Sequence, residues 1–233
     1  MANSLACYDG KAAPPDRAAD RATMVVQQVE ARGVTDRRVL AAMRKVPRHL
    51  FVPPAVQDRA YGDHPLPIGE DQTISQPYVV AYMTEALRLK PHHRALEIGT
   101  GSGYQAAVLG ELVKEVYTIE IVPSLGRRAA AVLKALGYRN VQVRIGDGYQ
   151  GWARAAPFDA VMLTAAPPSI PAPLLAQLRV GGVLVAPLGP ADSQVLVRMT
   201  RHPTGFRTER LLDVRFVPMT GRARERPTQH PGP

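Results

Sequence analysis

Cysteine is almost absent from this chain. Cys7 is the only one among 233 residues, so no intramolecular disulfide can form and no disulfide framework is available. Aromatic residues are also few, at 6 % with a single tryptophan, which leaves aliphatic side chains to fill the interior. No run of about 18 apolar residues occurs, and this argues against a transmembrane helix. The first ten residues lack a basic region followed by an apolar core, the pattern of a secretory signal, so a cytoplasmic location without membrane association is expected. Cysteine and histidine never fall at zinc-ligand spacing, and no metal site is expected; His92-His93 reads as an exposed turn. Acidic residues are outnumbered, 20 against 29 Lys plus Arg, for a net charge of +9. The basic residues are scattered arginines rather than a stripe, so nucleic acid is not the expected partner, whereas a mild positive field suits an anionic substrate.

What is present is an α/β pattern. A hydrophobic share of 45 % is ample for a core. After Pro91, apolar runs at 94–98, 115–121, 141–145, 158–164, 183–187, 195–200 and 210–217 read as seven strands. Helical patterns at 104–112, 124–136 and 173–178 lie between them. This predicts a doubly wound, mostly parallel seven-stranded sheet. Pro203 and Gly205, with no helix between the last two strands, predict an antiparallel edge pair. Ahead of Pro91 the spacing predicts an N-terminal helical addition: a helix at 22–32 stopped by Gly33, a second capped by Thr35 and ended at Pro47, and a third from Pro77 to about Arg88. The expected organisation is a helical, substrate-covering segment over 1–90, a core over 91–220 and a solvated tail over 221–233. Residues 47–77 are too long and too rich in proline and glycine for an ordinary connector, and such segments tend to be functional.

The chemistry concentrates where the first strand ends. Leu96-Glu97-Ile98-Gly99-Thr100-Gly101-Ser102-Gly103-Tyr104 joins a strand to a helix through glycines at alternate positions, where backbone can approach a ligand without a Cβ in the way. A dinucleotide fingerprint needs G-x-G-x-x-G. The G-x-G-x-G spacing here resembles motif I of class I S-adenosylmethionine-dependent methyltransferases. Three acidic positions accompany the turn at successive strand ends: Glu97, Glu120, and Asp147 within Gly146-Asp147-Gly148. Each alone has an ordinary reading as a strand-end or turn residue. In register with the glycine turn, Glu120 suits ribose hydroxyls and Asp147 the exocyclic amine of an adenine. Gln72-Thr73-Ile74-Ser75-Gln76-Pro77-Tyr78 closes the irregular segment, and from spacing alone Ser75 or Thr73 could simply cap the next helix. After the fourth strand, Thr164-Ala165-Ala166-Pro167-Pro168 offers a hydroxyl but no base. His64 could touch substrate or stay in solvent, and Trp152 reads as a packing residue.

From about Met24 to Thr220 the chain resembles the bacterial type of protein-L-isoaspartate (D-aspartate) O-methyltransferase. The resemblance is carried by Ala60-Tyr61, Leu66-Pro67-Ile68-Gly69, the 72–78 and 96–104 stretches, Gly146-Asp147-Gly148, Ala156-Pro157-Phe158-Asp159-Ala160, Thr164-Ala165-Ala166-Pro167, Gly181-Gly182 and Arg215-Phe216-Val217-Pro218-Met219-Thr220. It implies a Rossmann-like methyltransferase fold with a rearranged order of the last two strands. The implied activity is methylation of the free α-carboxylate of isoaspartyl residues in damaged proteins and peptides. S-adenosyl-L-methionine is the implied methyl donor, S-adenosyl-L-homocysteine its product, and the enzyme is expected to be a monomer. A carboxylate of pKa roughly 3.5 to 4 is already ionised and needs no base. The implied catalytic and substrate-orienting residue is Ser75, with Thr220 near the substrate. Gln72, Thr73, Ile74, Glu97, Gly99, Thr100, Gly101, Glu120, Asp147 and Gly148 are the implied cofactor residues. Val80 stands where some relatives carry histidine, and amino-methylating relatives carry an Asn/Asp-Pro-Pro-Tyr type motif where this chain reads Thr164-Ala165-Ala166-Pro167.

Overall fold

The central strands are nearly continuous apolar runs buried on both sides, and successive residues feed a separate core on each face of the sheet. The computed structural model describes residues 16–190 and 192–225. Its chain order begins with α1 (Ala18–Met24), which runs on through a π turn at Val25–Val29 and a 3-10 turn at Glu30–Arg32, and then α2 (Arg37–Lys45). A hairpin of β1 (Leu66–Gly69) and β2 (Gln72–Ile74) follows, then α3 (Pro77–Ala86). The core continues as β3 (Arg94–Ile98), α4 (Tyr104–Gly110), β4 (Glu115–Glu120), α5 (Pro123–Ala135), β5 (Val141–Ile145), β6 (Phe158–Leu163) and α6 (Ala172–Ala176). It closes with β7 (Leu178–Leu188), β8 (Gln194–His202), β9 (Gly205–Val214) and α7 (Arg222–Glu225).

The seven-stranded sheet has the order β5-β4-β3-β6-β7-β8-β9. Pairings from β5 to β7 are parallel, and β7–β8 and β8–β9 are antiparallel, so the expected sheet and edge pair are both present. The order reverses between β3 and β6. A crevice opens outside the carboxyl ends of such strands. Ala160 and Met162 of β6 join one core with the N-terminal helices, α3 and α4, while Val161 and Leu163 join the other. The second face is covered lightly, by α6, the Trp152 segment and the C-terminal residues Met219 and Ala223. Trp152 packs edge-on against Tyr117, with ring centroids 5.2 Å apart.

Several local expectations shift. The first helix starts four residues earlier, at Ala18, and still ends where Gly33 adopts φ 94°. Asp36, not Thr35, caps α2: its carboxylate accepts from the amides of Arg38 and Val39. Thr35 instead donates its amide to Glu85 of α3 at 2.7 Å. The irregular segment contains the β1–β2 hairpin, which its short strands and Pro67 concealed. Its tip, Glu70-Asp71, holds φ 55° and 54° without the Asn-Gly signature that usually marks such turns. β7 starts at Leu178, five residues ahead of expectation, and β9 ends at Val214 because the tight 202–205 turn sets its register against β8. Of the expected tail, Arg222–Glu225 is helical and Ala223 is buried; residues 1–15 and 226–233 lie outside the described residues. His93 is buried and accepts from the Lys90 amide, so only His92 of that pair fits an exposed turn. No helix among the described residues is long and apolar enough to cross a membrane.

The cap assignment gives a stability test. Asp36→Ala should cost about 1 kcal/mol by chemical denaturation. Thr35→Ala should cost clearly less, since the Thr35 amide that meets Glu85 survives that substitution; equal losses would return the cap to Thr35.

Candidate active site

The glycine turn sits at the reversal of strand order. Gly99, Gly101 and Gly103 adopt φ of 100°, 54° and 89°, which favour glycine. Gly99 is also sterically closed, because an added Cβ would overlap the Thr164 hydroxyl. That hydroxyl lies 2.5 Å from the Gly99 carbonyl and donates to it, tying the turn to the end of β6. On the other flank, the Gly101 amide donates to Glu120 Oε2 at 2.7 Å and the Val122 amide to Oε1 at 2.9 Å. Glu120 is thus held at the end of β4 by two backbone donors, with lone pairs left for a ligand.

A cleft opens above this turn. Gln72, Thr73, Ile74 and Ser75 of the hairpin line one side, and Gly99, Thr100, Gly101, Glu120 and Gly148 line the floor. Val217, Pro218, Met219 and Thr220 form the far wall. The hairpin is fixed over the cleft by α5: the Ser124 hydroxyl donates to Glu70 at 2.6 Å, and the Arg128 guanidinium donates to the Ile68 carbonyl. Ser75 does not cap α3, whose cap residue is Gln76 with no side-chain bond. The Ser75 hydroxyl lines the cleft and has no hydrogen-bond partner among the described residues.

Ten of the twelve residues expected at the site therefore meet at one cleft. Glu97 and Asp147 do not line it. Glu97 lies wholly buried beneath the turn, opposite Thr118 in the β3–β4 register. The Thr118 hydroxyl donates to Glu97 Oε2 at 2.5 Å, and the Thr100 hydroxyl, 2.6 Å from that of Thr118, donates in turn. Glu97 Oε1 is buried without a partner. Burial, aided by the negative charge of Glu120, pushes the Glu97 carboxyl up to about 8. Asp147 flanks the rim, where its carboxylate accepts from the amides of Tyr149 and Arg222. The cleft also contains residues the sequence did not single out. Gln105 lines it from inside a helix, where nothing in the pattern separates it from a packing residue, and its amide donates to Thr84 of α3 at 2.9 Å. Thr164 was visible only as a hydroxyl after the fourth strand. His64 is half-buried, beside the Pro65 carbonyl and outside the cleft lining.

The cleft supplies hydroxyls, backbone donors and the Glu120 carboxylate, with no histidine, lysine or cysteine among the described lining residues. Residues 20–224 match the family model described as Protein-L-isoaspartate(D-aspartate) O-methyltransferase (PCMT). The chain belongs to the protein-L-isoaspartate(D-aspartate) O-methyltransferase family. A protein-L-isoaspartate O-methyltransferase of Gloeobacter violaceus is 57 % identical over 208 residues, covering 89 % of this chain and all of that one. Protein-L-isoaspartate O-methyltransferase 2 of Shewanella sediminis is 58 % identical over 204 residues, covering 87 % and 84 %. A Plasmodium falciparum structure, described as a protein-L-isoaspartate O-methyltransferase in complex with S-adenosyl-L-homocysteine, superposes with a TM-score of 0.76 at 26 % identity, covering 86 % and 98 %. This methyltransferase acts on isoaspartyl residues of proteins with S-adenosylmethionine as methyl donor.

The cleft fits that donor in kind. Glu97 leaves one buried carboxylate oxygen unpaired, and an added Cβ at Gly148 would overlap Ile98, so backbone alone can occupy that edge. Glu97 also makes the ligand-free fold pH-sensitive. Between about 4.5 and about 8 the folded state holds a proton that the unfolded chain releases. Its contribution to stability is fully present below the lower value and is lost as pH rises to the upper one. In ligand-free protein, the melting temperature should therefore fall from pH 5.5 to 8 more steeply for wild type than for Glu97→Gln. Parallel profiles would show that Glu97 ionises normally.

Proposed function

We propose that Ser75 is the catalytic contact to substrate and that the cleft holds an isoaspartyl α-carboxylate against the methyl donor. The observation that carries this reading is the Ser75 hydroxyl, which lines the cleft unpaired and leaves the α3 cap to Gln76. A hydroxyl donor is what an ionised carboxylate needs: it accepts a hydrogen bond, is oriented, and keeps its nucleophilic oxygen free. No side chain need take a proton, because the carboxylate is ionised at neutral pH. This agrees with a lining without His or Lys. Thr220, on the facing wall, contributes the second hydroxyl toward substrate.

The donor supplies an electrophilic methyl group on a sulfonium sulfur. In this reading Gly99, Thr100 and Gly101 hold its amino-acid end, with Glu97 below them offering its unpaired oxygen. Glu120 takes the ribose hydroxyls with the lone pairs that Gly101 and Val122 leave free. Gly148 borders the adenine, Asp147 flanks it, and Gln72, Thr73 and Ile74 close the cleft from the hairpin. Ile74, Val80, Met83 and Met219 exclude water from the reacting groups. The resulting methyl ester closes to a succinimide, and hydrolysis returns part of the material to normal aspartyl linkage. The substrates are damaged proteins and peptides met by a monomer in the cytoplasm. Its organisation is a helical, substrate-covering addition on a methyltransferase core.

Two peptides that differ only in an isoaspartyl or an aspartyl linkage test this directly. Labelled methyl from S-adenosylmethionine should appear as base-labile label on the isoaspartyl peptide alone. Ser75→Ala should lower kcat/KM about 100-fold while cofactor binding persists. Full activity in that variant would remove Ser75 from catalysis, and equal labelling of both peptides would remove the specificity.

A further inference from the structure

The far wall of the cleft is a strap fastened at two places. Near the sheet, the Ala166 amide donates to the Val217 carbonyl at 2.9 Å and the Met219 amide to the Ala166 carbonyl at 2.8 Å. At the rim, the Arg222 amide donates to Asp147 Oδ2 at 2.9 Å, across 75 residues of sequence. Thr220 and Gly221 lie between the two fastenings. Gly221 is fitted to the second one: its φ is 72°, and an added Cβ would lie 2.7 Å from Asp147 Oδ2 and 2.8 Å from Ile121 Cδ1. The other Asp147 oxygen accepts from the Tyr149 amide at 2.9 Å, which fixes the carboxylate's direction.

We infer that Asp147 is a positioning residue that latches the rim of the strap, and that this latch limits how fast the cofactor leaves. Asp147 caps the first turn of α7 from a distant part of the chain. A backbone donor to a carboxylate is among the stronger hydrogen bonds, and the first-turn amides of a helix have no partner within it. Among the described residues past Thr220, the polar fastening is this one bond. Releasing it frees the rim of the wall that carries Thr220, while the Ala166 fastening keeps Met219 in the core. Asp147 thus acts on the cofactor through the wall. The inference rests on the cofactor's placement in the cleft.

Proline at position 222 removes the amide, and the first position of a helix tolerates it. Alanine at 222 keeps the amide and removes only the side chain. S-adenosylhomocysteine, preloaded and chased in a stopped-flow experiment, should leave Arg222→Pro about tenfold faster than Arg222→Ala. Gly221→Ala, which displaces the turn from Asp147 by a different route, should also speed release. KM for S-adenosylmethionine should rise in both fast-releasing variants with kcat equal to or above wild type, a split that general destabilisation does not produce. Equal release from Arg222→Pro and Arg222→Ala, with Gly221→Ala at the wild-type rate, would overturn the latch while cofactor placement stands. A wild-type protein without saturable binding, or a Glu120→Gln variant with undiminished affinity, would overturn the placement and the latch together.

Discussion

The hydrogen bond from the Gly101 amide to the Glu120 carboxylate fixes the glycine turn against the neighbouring strand, and the rest of the cleft is arranged around it. It requires β3 and β4 to be parallel and in register, so that a turn leaving one strand meets a side chain ending the other. It also requires backbone at positive φ, which the glycines supply. Thr164 makes the matching contact from β6, on the other side of the strand-order reversal. The turn is thereby held between its two neighbouring strands. Ile68 of the hairpin packs over it, 3.5 Å from where a Gly101 Cβ would stand.

Around that turn, charge is placed by depth. Glu120 keeps its carboxylate at the surface of the cleft with two backbone donors. Glu97, one strand over, is buried, with one oxygen bonded to Thr118 and the other unpaired, and its ionisation is correspondingly disfavoured. Asp147 is turned toward backbone amides at the rim. Three strand-end carboxylates that look equivalent in the sequence thus differ in solvation and partners, and so in what each can do. The described lining residues include no histidine or lysine, which agrees with a nucleophile that is ionised before it binds.

Local pattern determined a large part of this protein. The apolar runs from Arg94 onward, the helical spacings between them and the Gly99–Gly103 turn depend on nearby residues and on backbone stereochemistry, and both are written in the chain. The Gln72–Ser75 stretch could be singled out too, although whether Ser75 caps a helix or lines the cleft could not be read from spacing. Tertiary structure decided that, by giving the α3 cap to Gln76 and leaving the serine hydroxyl over the cleft. It also folded 66–74 into a hairpin whose tip adopts positive φ at Glu70 and Asp71, residues that do not announce such a turn. It brought Arg222 to Asp147 and Val217 to Ala166, and so built a wall where the expected core runs into the expected tail. Such contacts join residues tens of positions apart, and their energies depend on burial and register that exist only once the sheet has formed. Sequence set the elements and the chemistry of the site; the packed sheet decided which carboxylate lines the cleft, which is buried beneath it and which bonds the Arg222 amide at the rim.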